Sequence, residues 1–119
     1  MCDCNFHCLS CKYFKYLKEK LNFDVSIDEF GKVHVKNDNY EEKIEHIVSL
    51  NAIKLLCHLF SCEGEIKKRH DIESFVWSNT NVGVNSLPVL LHDVRKMLAS
   101  TEYSIITIRG VGYMAMKRR

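Results

Sequence analysis

The sequence predicts an α+β domain in which a small antiparallel sheet precedes three helices and a β-hairpin follows them. Apolar residues alternate with polar ones over residues 23–36 and again near the C-terminus, and between these stretches they recur every three or four residues. The 119 residues, 46% hydrophobic and 27% charged, suffice for one hydrophobic core. This composition excludes a disordered tail, a collagen-like fibre and a multidomain enzyme.

The first predicted elements are a short helix and a hairpin. The helix covers residues 9–21, where helical spacing relates Leu9, Tyr13, Tyr16, Leu17 and Lys20. The period then changes to two, and residues 23–27 and 33–36 flank the turn Asp28-Glu29-Phe30-Gly31, which predicts a β-hairpin. Residues 44–48 can supply another short strand.

Three helices are predicted next. Ser49 is a candidate N-cap for the first, whose apolar residues extend from Leu50 to Phe60 and which Gly64 ends. The second covers residues 68–77. The third begins at Asn85 or Ser86, tolerates Pro88 in its first turn, and buries a stripe formed by Leu87, Leu90 or Leu91, Val94 and Leu98.

The last predicted element is a hairpin. Residues 103–108 and 113–116 are β-rich and flank Arg109-Gly110-Val111-Gly112, where glycine allows positive φ and close backbone approach. Three helices followed by a β-hairpin form a winged helix-turn-helix, whose third helix can enter a DNA major groove while the hairpin, or wing, reaches an adjacent groove or backbone. We therefore expect a Cys-rich extension with a short helix over residues 1–22 and a winged helix-turn-helix over residues 23–119.

The charge is distributed unevenly although its net value is only +2. Residues 23–65 hold nine acidic and four basic side chains, whereas residues 85–119 hold six basic and two acidic ones. This asymmetry indicates either a C-terminal half that faces a polyanion or simply a solvated surface. The chain has no run of eighteen apolar residues and no secretory signal in its first ten, so we expect a cytoplasmic protein without a membrane span.

A more specific resemblance lies in residues 48–116. The effector domain of OmpR/PhoB-type transcription regulators is similar, in order and spacing, to the stretches VSLNAIKLLCHLF, IKKRHDIESFVW, NSLPVLLHDVRKML and IITIRGVGYMAM. The wing motif at residues 107–113 is the most specific match, and the third stretch most resembles the ToxR/CadC branch. The resemblance implies a bacterial regulator that binds double-stranded DNA as a homodimer on repeated sites, under the control of its abundance, a regulator or polymerase partner, or its cysteines.

The outward face of the third helix and the resemblance together indicate which residues contact DNA. They are Arg69 in the second helix, Asn85, Ser86, Val89, His92, Arg95 and Lys96 in the third, and Thr107 and Arg109 in the wing. Asparagine can bond adenine and valine can contact a thymine methyl group. Arginines at the positions of Arg95 and Arg109 contact phosphates or bases in the family, and residues 117–119 form a basic tail that can hold phosphates.

The third helix departs from the family pattern. His92 and Asp93 stand where arginines are common, and Pro88 and Leu90 stand where polar residues are common. The helix is therefore less cationic than expected. Either apolar and shape contacts read the site, or a partner supplies affinity, or the domain is a protein-interaction module that modulates another regulator through Pro88, Val89 and Leu90.

The N-terminal cysteines are a separate candidate site. Cys2, Cys4, Cys8 and Cys11 have the C-x-C-x3-C-x2-C spacing, and four thiolates can hold zinc or an iron–sulfur cluster, sense redox state, or be inert. A metal- or redox-gated regulator is thus a further alternative. Phosphate-binding loops, dinucleotide fingerprints, zinc-protease motifs and nucleophile elbows do not occur in the sequence, so an enzyme is not expected.

Overall fold

The computed structural model describes residues 12–37, 45–77 and 86–118. Within these ranges four helices and six strands follow one another, namely α1 (Lys12–Leu21), β1 (Phe23–Ile27), β2 (Val33–Asn37), β3 (Glu45–Val48), α2 (Leu50–Ser61), β4 (Lys67–Lys68), α3 (Arg69–Trp77), α4 (Ser86–Leu98), β5 (Tyr103–Ile108) and β6 (Gly112–Lys117). One three-stranded sheet, β1 to β3, precedes α2 in the chain. The second sheet combines β4, which lies between α2 and α3, with the C-terminal strands β5 and β6.

The N-terminal sheet contains the predicted hairpin. Strands β1, β2 and β3 are antiparallel in that order, with Val35 opposite Val25 in β1. The turn is shaped by Asp28, whose Oδ1 accepts hydrogen bonds from the backbone N–H groups of Phe30 (2.8 Å) and Lys32 (2.9 Å). Gly31 in the same turn has a φ of 79°. The sheet therefore turns one face, which includes Val35, toward the core.

Helix α1 is an integral part of the hydrophobic core. Phe14, Leu17 and Leu21 are at most 1% exposed, at the i, i+3 and i+7 spacing that places them on one helix face. Of the residues whose spacing predicted the helix, Leu17 is buried but Tyr16 is 57% exposed. Phe14, which was not among them, lies on the buried face instead. The predicted start at Leu9 lies outside the described residues.

Helices α2, α3 and α4 supply most of the buried apolar side chains. Ser49 caps α2 as predicted, since its Oγ accepts a hydrogen bond from the N–H of Ala52 at 3.2 Å. Helix α2 ends at Ser61, and Gly64 then adopts a φ of 83°. Cys57 is buried, as expected of a small core residue, and Trp77 is partly buried against the core.

The C-terminal sheet has one strand more than the sequence predicted. Its order is β4–β6–β5, and the two-residue strand β4 pairs Lys67 with Tyr113 and Lys68 with Gly112. A Cβ atom on Gly112 would lie 2.0 Å from the carbonyl oxygen of Lys67, so only glycine lets the two strands pair this closely. Gly110 supplies the positive φ of the wing turn, 76°.

These elements confirm the predicted α+β winged helix-turn-helix fold. The wing is the hairpin of β5 and β6, whose six residue pairs extend from Tyr103–Lys117 to Ile108–Gly112. In the part of the chain that the structure describes, none of the helices combines the length and apolar character needed to traverse a lipid bilayer.

Candidate nucleic-acid interface

Helix α4 has one buried side and one open side. The buried side faces the core and consists of Leu87, Leu90, Leu91, Val94, Met97 and Leu98. On the open side, Val89 is 60% exposed, His92 and Lys96 are exposed, and Asp93 is half-buried. The open side therefore combines the apolar Pro88 and Val89 with the polar or charged side chains of His92, Asp93, Arg95 and Lys96.

The position of Leu90 corrects one expectation. The apolar face predicted for a protein partner consisted of Pro88, Val89 and Leu90, but Leu90 is only 6% exposed and belongs to the core. A 13-residue helix packed against both α2 and β5 buries a wide stripe, so both Leu90 and Leu91 point inward. Pro88 and Val89 alone remain as the apolar part of the open side.

Arg95 connects α4 to the wing. Its Nη2 donates to the Thr107 hydroxyl at 2.7 Å, and both Nε and Nη2 donate to the carbonyl oxygen of Ile105 at 3.3 Å. The structure thus brings together two predicted DNA-binding residues, Arg95 and Thr107, through a contact inside the protein. Arg95 as a whole residue remains exposed, although its hydrogen bonds to Ile105 are partly buried.

A groove of about 260 Å³ lies beside the wing turn. Its lining includes Arg69 at the start of α3, Thr107 in β5, and Gly112 and Tyr113 in β6. The Nε of Arg69 lies 3.5 Å from Glu73, one turn along α3, in an exposed ion pair that holds its side chain only weakly. Predicted residues from α3 and β5 therefore meet at one surface, next to the wing turn.

The remaining basic residues of the C-terminal half divide into two groups. Arg109 lies in the exposed wing turn. By contrast, Lys117 lies 3.3 Å from Glu102, and Arg118 donates to the backbone carbonyls of Leu98 (3.4 Å) and Ala99 (3.3 Å). The predicted basic tail is thus partly engaged with the end of α4, while Arg119 lies outside the described residues.

Two other predictions fall outside the described ranges. Asn85 precedes the first described residue of α4, Ser86, which is half-buried. The cysteine cluster, Cys2, Cys4, Cys8 and Cys11, precedes the first described residue of α1. Over residues 12–37, 45–77 and 86–118, no three His, Cys, Asp or Glu side chains come together in a way that could hold a metal ion.

A buried histidine lies between α2 and α3, away from this interface. His58 is 6% exposed, its ring stacks on that of Phe75 with centroids 4.4 Å apart, and neither ring nitrogen has a hydrogen-bond partner among the described residues. Burial lowers the pKa of His58, Lys67 in β4 lowers it further, and Asp71 in α3 opposes the shift. The environment of His58 therefore favours the neutral form of its imidazole.

His34, in strand β2 of the N-terminal sheet, has a pKa shift in the opposite direction. His34 Nε2 lies 2.7 Å from Asp28 Oδ2, and Nδ1 contacts Glu45 across the sheet. A hydrogen bond to Asp28, and secondly one to Glu45, raises the pKa of His34. The hydrogen bond between His34 and Asp28 also lowers the pKa of Asp28. This ion-paired cluster joins the β1–β2 turn to β3.

Sequence reasoning missed two contributors to the interface. Strand β4 carries Lys67 and Lys68 to the edge of the wing sheet, but two residues give no detectable period. Tyr113 packs against the core and also lines the groove with Arg69. Arg118 was assigned to phosphate, and a basic residue two positions after a β-rich run carries no signal that it bonds to the end of a helix elsewhere.

Comparisons with known proteins agree with this architecture. The family model described as "Transcriptional regulatory protein, C terminal" matches residues 45–115. No curated protein matches the sequence.

Three solved structures illustrate the similarity in fold. The DNA-binding domain of Bacillus subtilis CssR is 22% identical, with a TM-score of 0.53 over 78% of this chain and 100% of its own. The C-terminal domain of the nisin resistance regulator NsrR, a lantibiotic response regulator, is 20% identical (TM-score 0.53), and the DNA-binding domain of the response regulator AdeR, in complex with an intercistronic region, is 18% identical (TM-score 0.53). Each of these two covers 80% of this chain and 94% of its own.

Proposed function

The chain belongs to the family of C-terminal domains of transcriptional regulatory proteins, the OmpR/PhoB-type DNA-binding domains, and on that premise we propose that α4 enters the major groove of duplex DNA while the wing contacts an adjacent groove or the backbone. The family consists of DNA-binding transcription regulators, which is not an enzyme class. The proposed contacts come from Arg69, Asn85, Ser86, Val89, His92, Lys96 and Arg109, whereas Arg95 and Thr107 lie beside them and bond to each other.

The observation that carries the proposal is the open side of α4 next to an open wing turn. Val89 and His92 are exposed near the start of α4, where a recognition helix meets base edges, and Lys96 is exposed one turn further on. In this arrangement the methyl groups of Val89 contact a thymine methyl group, and Lys96 and Arg109 contact phosphates. The AdeR DNA-binding domain, which is similar in fold, is in complex with an intercistronic region.

Four finer features belong to the same proposal. The third helix places the protein nearest to the ToxR/CadC branch, on the stretch that begins at Asn85. The domain over residues 23–119 binds as a homodimer on paired sites in a bacterial cytoplasm. Residues 1–22 form an extension whose helix packs on the domain through Leu17. The cysteine cluster at residues 2–11 is the candidate for metal or redox control.

The half-buried Asp93 provides a direct test of which surface faces DNA. An Asp93→Arg change removes one negative charge and adds one positive charge on the open side of α4, so that one more phosphate can be neutralised. The dependence of log K on log salt steepens by about 0.9 for each added phosphate contact. Glu19→Arg on α1 is the matched control, because it changes the net charge by the same amount on a different helix.

The measurement is fluorescence anisotropy titration of duplex DNA at several salt concentrations, with sites first selected from random-sequence DNA. The proposal is supported if the selected DNA sites contain paired motifs and if the DNA affinity of Asp93→Arg depends more steeply on salt than that of Glu19→Arg. Identical salt dependence for both variants would place DNA on another surface. Folded protein that binds no DNA at low salt would instead assign the open side of α4 to a protein partner.

A further inference from the structure

The guanidinium group of Arg95 is held by acceptors on a strand that is ten to twelve residues away in the chain. Thr107 Oγ1 accepts at 2.7 Å, and the Ile105 carbonyl oxygen accepts from both Nε and Nη2. Arginine presents its donors in a planar fork, so two acceptors on one strand fix the orientation of the side chain as well as its position. The contact therefore links the orientation of β5 to that of α4.

Backbone pairing explains why the Ile105 carbonyl is available. Ile105 is opposite Ala115 in the β5–β6 pair, and the Ala115 carbonyl oxygen accepts from the N–H of Gly64 at 2.8 Å, on the side away from β5. Ile105 and Ala115 are thus a non-hydrogen-bonded pair, whose backbone groups point away from each other. Because β5 is an edge strand, the Ile105 carbonyl points out of the sheet edge, where Arg95 meets it.

The far end of α4 is tied to the wing in a similar way. Arg118, directly after β6, donates to the carbonyl oxygens of Leu98 and Ala99 at the C-terminus of α4. Its backbone N–H also donates to the Glu102 carbonyl at 2.7 Å. A cation at a helix C-terminus is favourable because the last carbonyls have no partners within the helix. Two arginines therefore join α4 to both strands of the wing.

We propose that Arg95 is a positioning residue that fixes the wing relative to α4, so that major-groove and wing contacts are made at one set spacing, and that it is not the phosphate contact expected from its place in the sequence. The inference rests on the proposed function for its effect on DNA. The contacts of Arg95 with Thr107 and Ile105, which we call the brace, are present in the protein without DNA, and they are tested there first.

The first experiment uses the full chain without DNA. Arg95→Lys keeps the charge but loses the fork, and Thr107→Val removes the nearer acceptor without changing the shape of the side chain much. Residual dipolar couplings of backbone amides report the orientation of β5 and β6 relative to α4. We expect both variants to change the couplings of the wing while those within α2 are unchanged. Wild-type wing couplings in both variants would overturn the proposal, whatever the protein does with DNA.

The second experiment measures affinity for a selected DNA site against salt concentration, with Lys96→Met as the reference for a lost phosphate contact. Lys96 is exposed one residue further along α4 and forms no hydrogen bond or ion pair among the described residues. Its loss should reduce the salt slope by about 0.9. For Arg95→Lys we expect roughly tenfold weaker binding at an unchanged slope, and no further loss when Thr107→Val is added. If Arg95 were instead a phosphate contact, Arg95→Lys would bind DNA with near wild-type affinity and Thr107→Val would not change the affinity.

The two experiments separate the failure modes. If the protein binds no DNA, the proposed function fails while the couplings still decide whether the brace exists. If the Arg95 variant does not fold, Thr107→Val carries both measurements, because Thr107 is exposed on an edge strand. An additive loss in the double variant would show that the two side chains act independently, which contradicts the brace.

Discussion

Replacing His58 with leucine is expected to stabilise the folded domain, and to stabilise it more as the pH falls. The imidazole is buried between α2 and α3, and its two ring nitrogens have no hydrogen-bond partner among the described residues. A buried polar group left unpaired costs about 1–3 kcal/mol, whereas the stacked contact with Phe75 contributes about 0.5–1.5 kcal/mol. Leucine removes both the unpaired ring nitrogens and the stacked contact, so we expect the free energy of unfolding to rise by about 1 kcal/mol at pH 8.

The pH dependence follows from the direction of the pKa shift. Burial and Lys67 lower the pKa of His58 in the folded state, so the unfolded chain binds a proton that the folded protein does not. Stability is intact above the ordinary histidine pKa of about 6.5 and is lost as the pH falls from there toward the folded pKa, at no more than ~1.4 kcal/mol per pH unit. The leucine variant lacks this loss, so its advantage grows below pH 6.5.

The assay is urea unfolding of both proteins at pH 8, 6.5 and 5, followed by tryptophan fluorescence and circular dichroism. Comparison of variant with parent cancels the titration of His34, whose raised pKa contributes stability that is lost as the pH rises through its folded value. A difference between the two proteins that is constant from pH 8 to 5, or a leucine variant that is less stable at every pH, would refute the reasoning.

Two further predictions concern packing. Gly112→Ala should destabilise the domain by about 3 kcal/mol, since its Cβ would lie 2.0 Å from the Lys67 carbonyl oxygen. Gly110→Ala, with no atom within 4 Å of the added Cβ, should cost only about 1 kcal/mol for its positive φ. Equal losses of stability in chemical denaturation would contradict the close β4–β6 approach. Leu17→Ala, at a fully buried site in α1, should cost about 2–4 kcal/mol in a single unfolding transition, and an unchanged midpoint would show that α1 lies outside the cooperative unit.

The periodic features of the fold could be predicted from the sequence. The alternation around Asp28, the cap at Ser49 and the glycine-containing wing turn at Gly110 each have a local signal, and the structure has the corresponding hairpin, helix start and wing. Local signals suffice here because the hydrogen bonds concerned join residues a few positions apart. The family resemblance drew on the same segments, since residues 45–115 contain the three central helices and the wing.

The candidate site could be predicted only in outline. The open side of α4 was expected to include Leu90, and which of two adjacent leucines is buried depends on where α2 and β5 lie. Arg95 was expected to contact phosphates or bases, and nothing in the sequence indicates that an edge-strand carbonyl and the hydroxyl of Thr107 accept hydrogen bonds from it. A residue's type gives the donors that it carries, but not the acceptors that the folded chain places near it.

The sequence by itself determined that this protein is a winged helix-turn-helix, because helical and strand periods, caps and turn glycines are properties of neighbouring residues. Only the tertiary structure decided how that domain is held together. Strand β4 exists because β6 offers it a partner, and the pKa of His58 is lowered because its ring is buried against Phe75 of α3. Arg95 joins α4 to the wing because the Ile105 carbonyl points out of the sheet edge. Each of these depends on contacts between distant segments, which no local pattern contains.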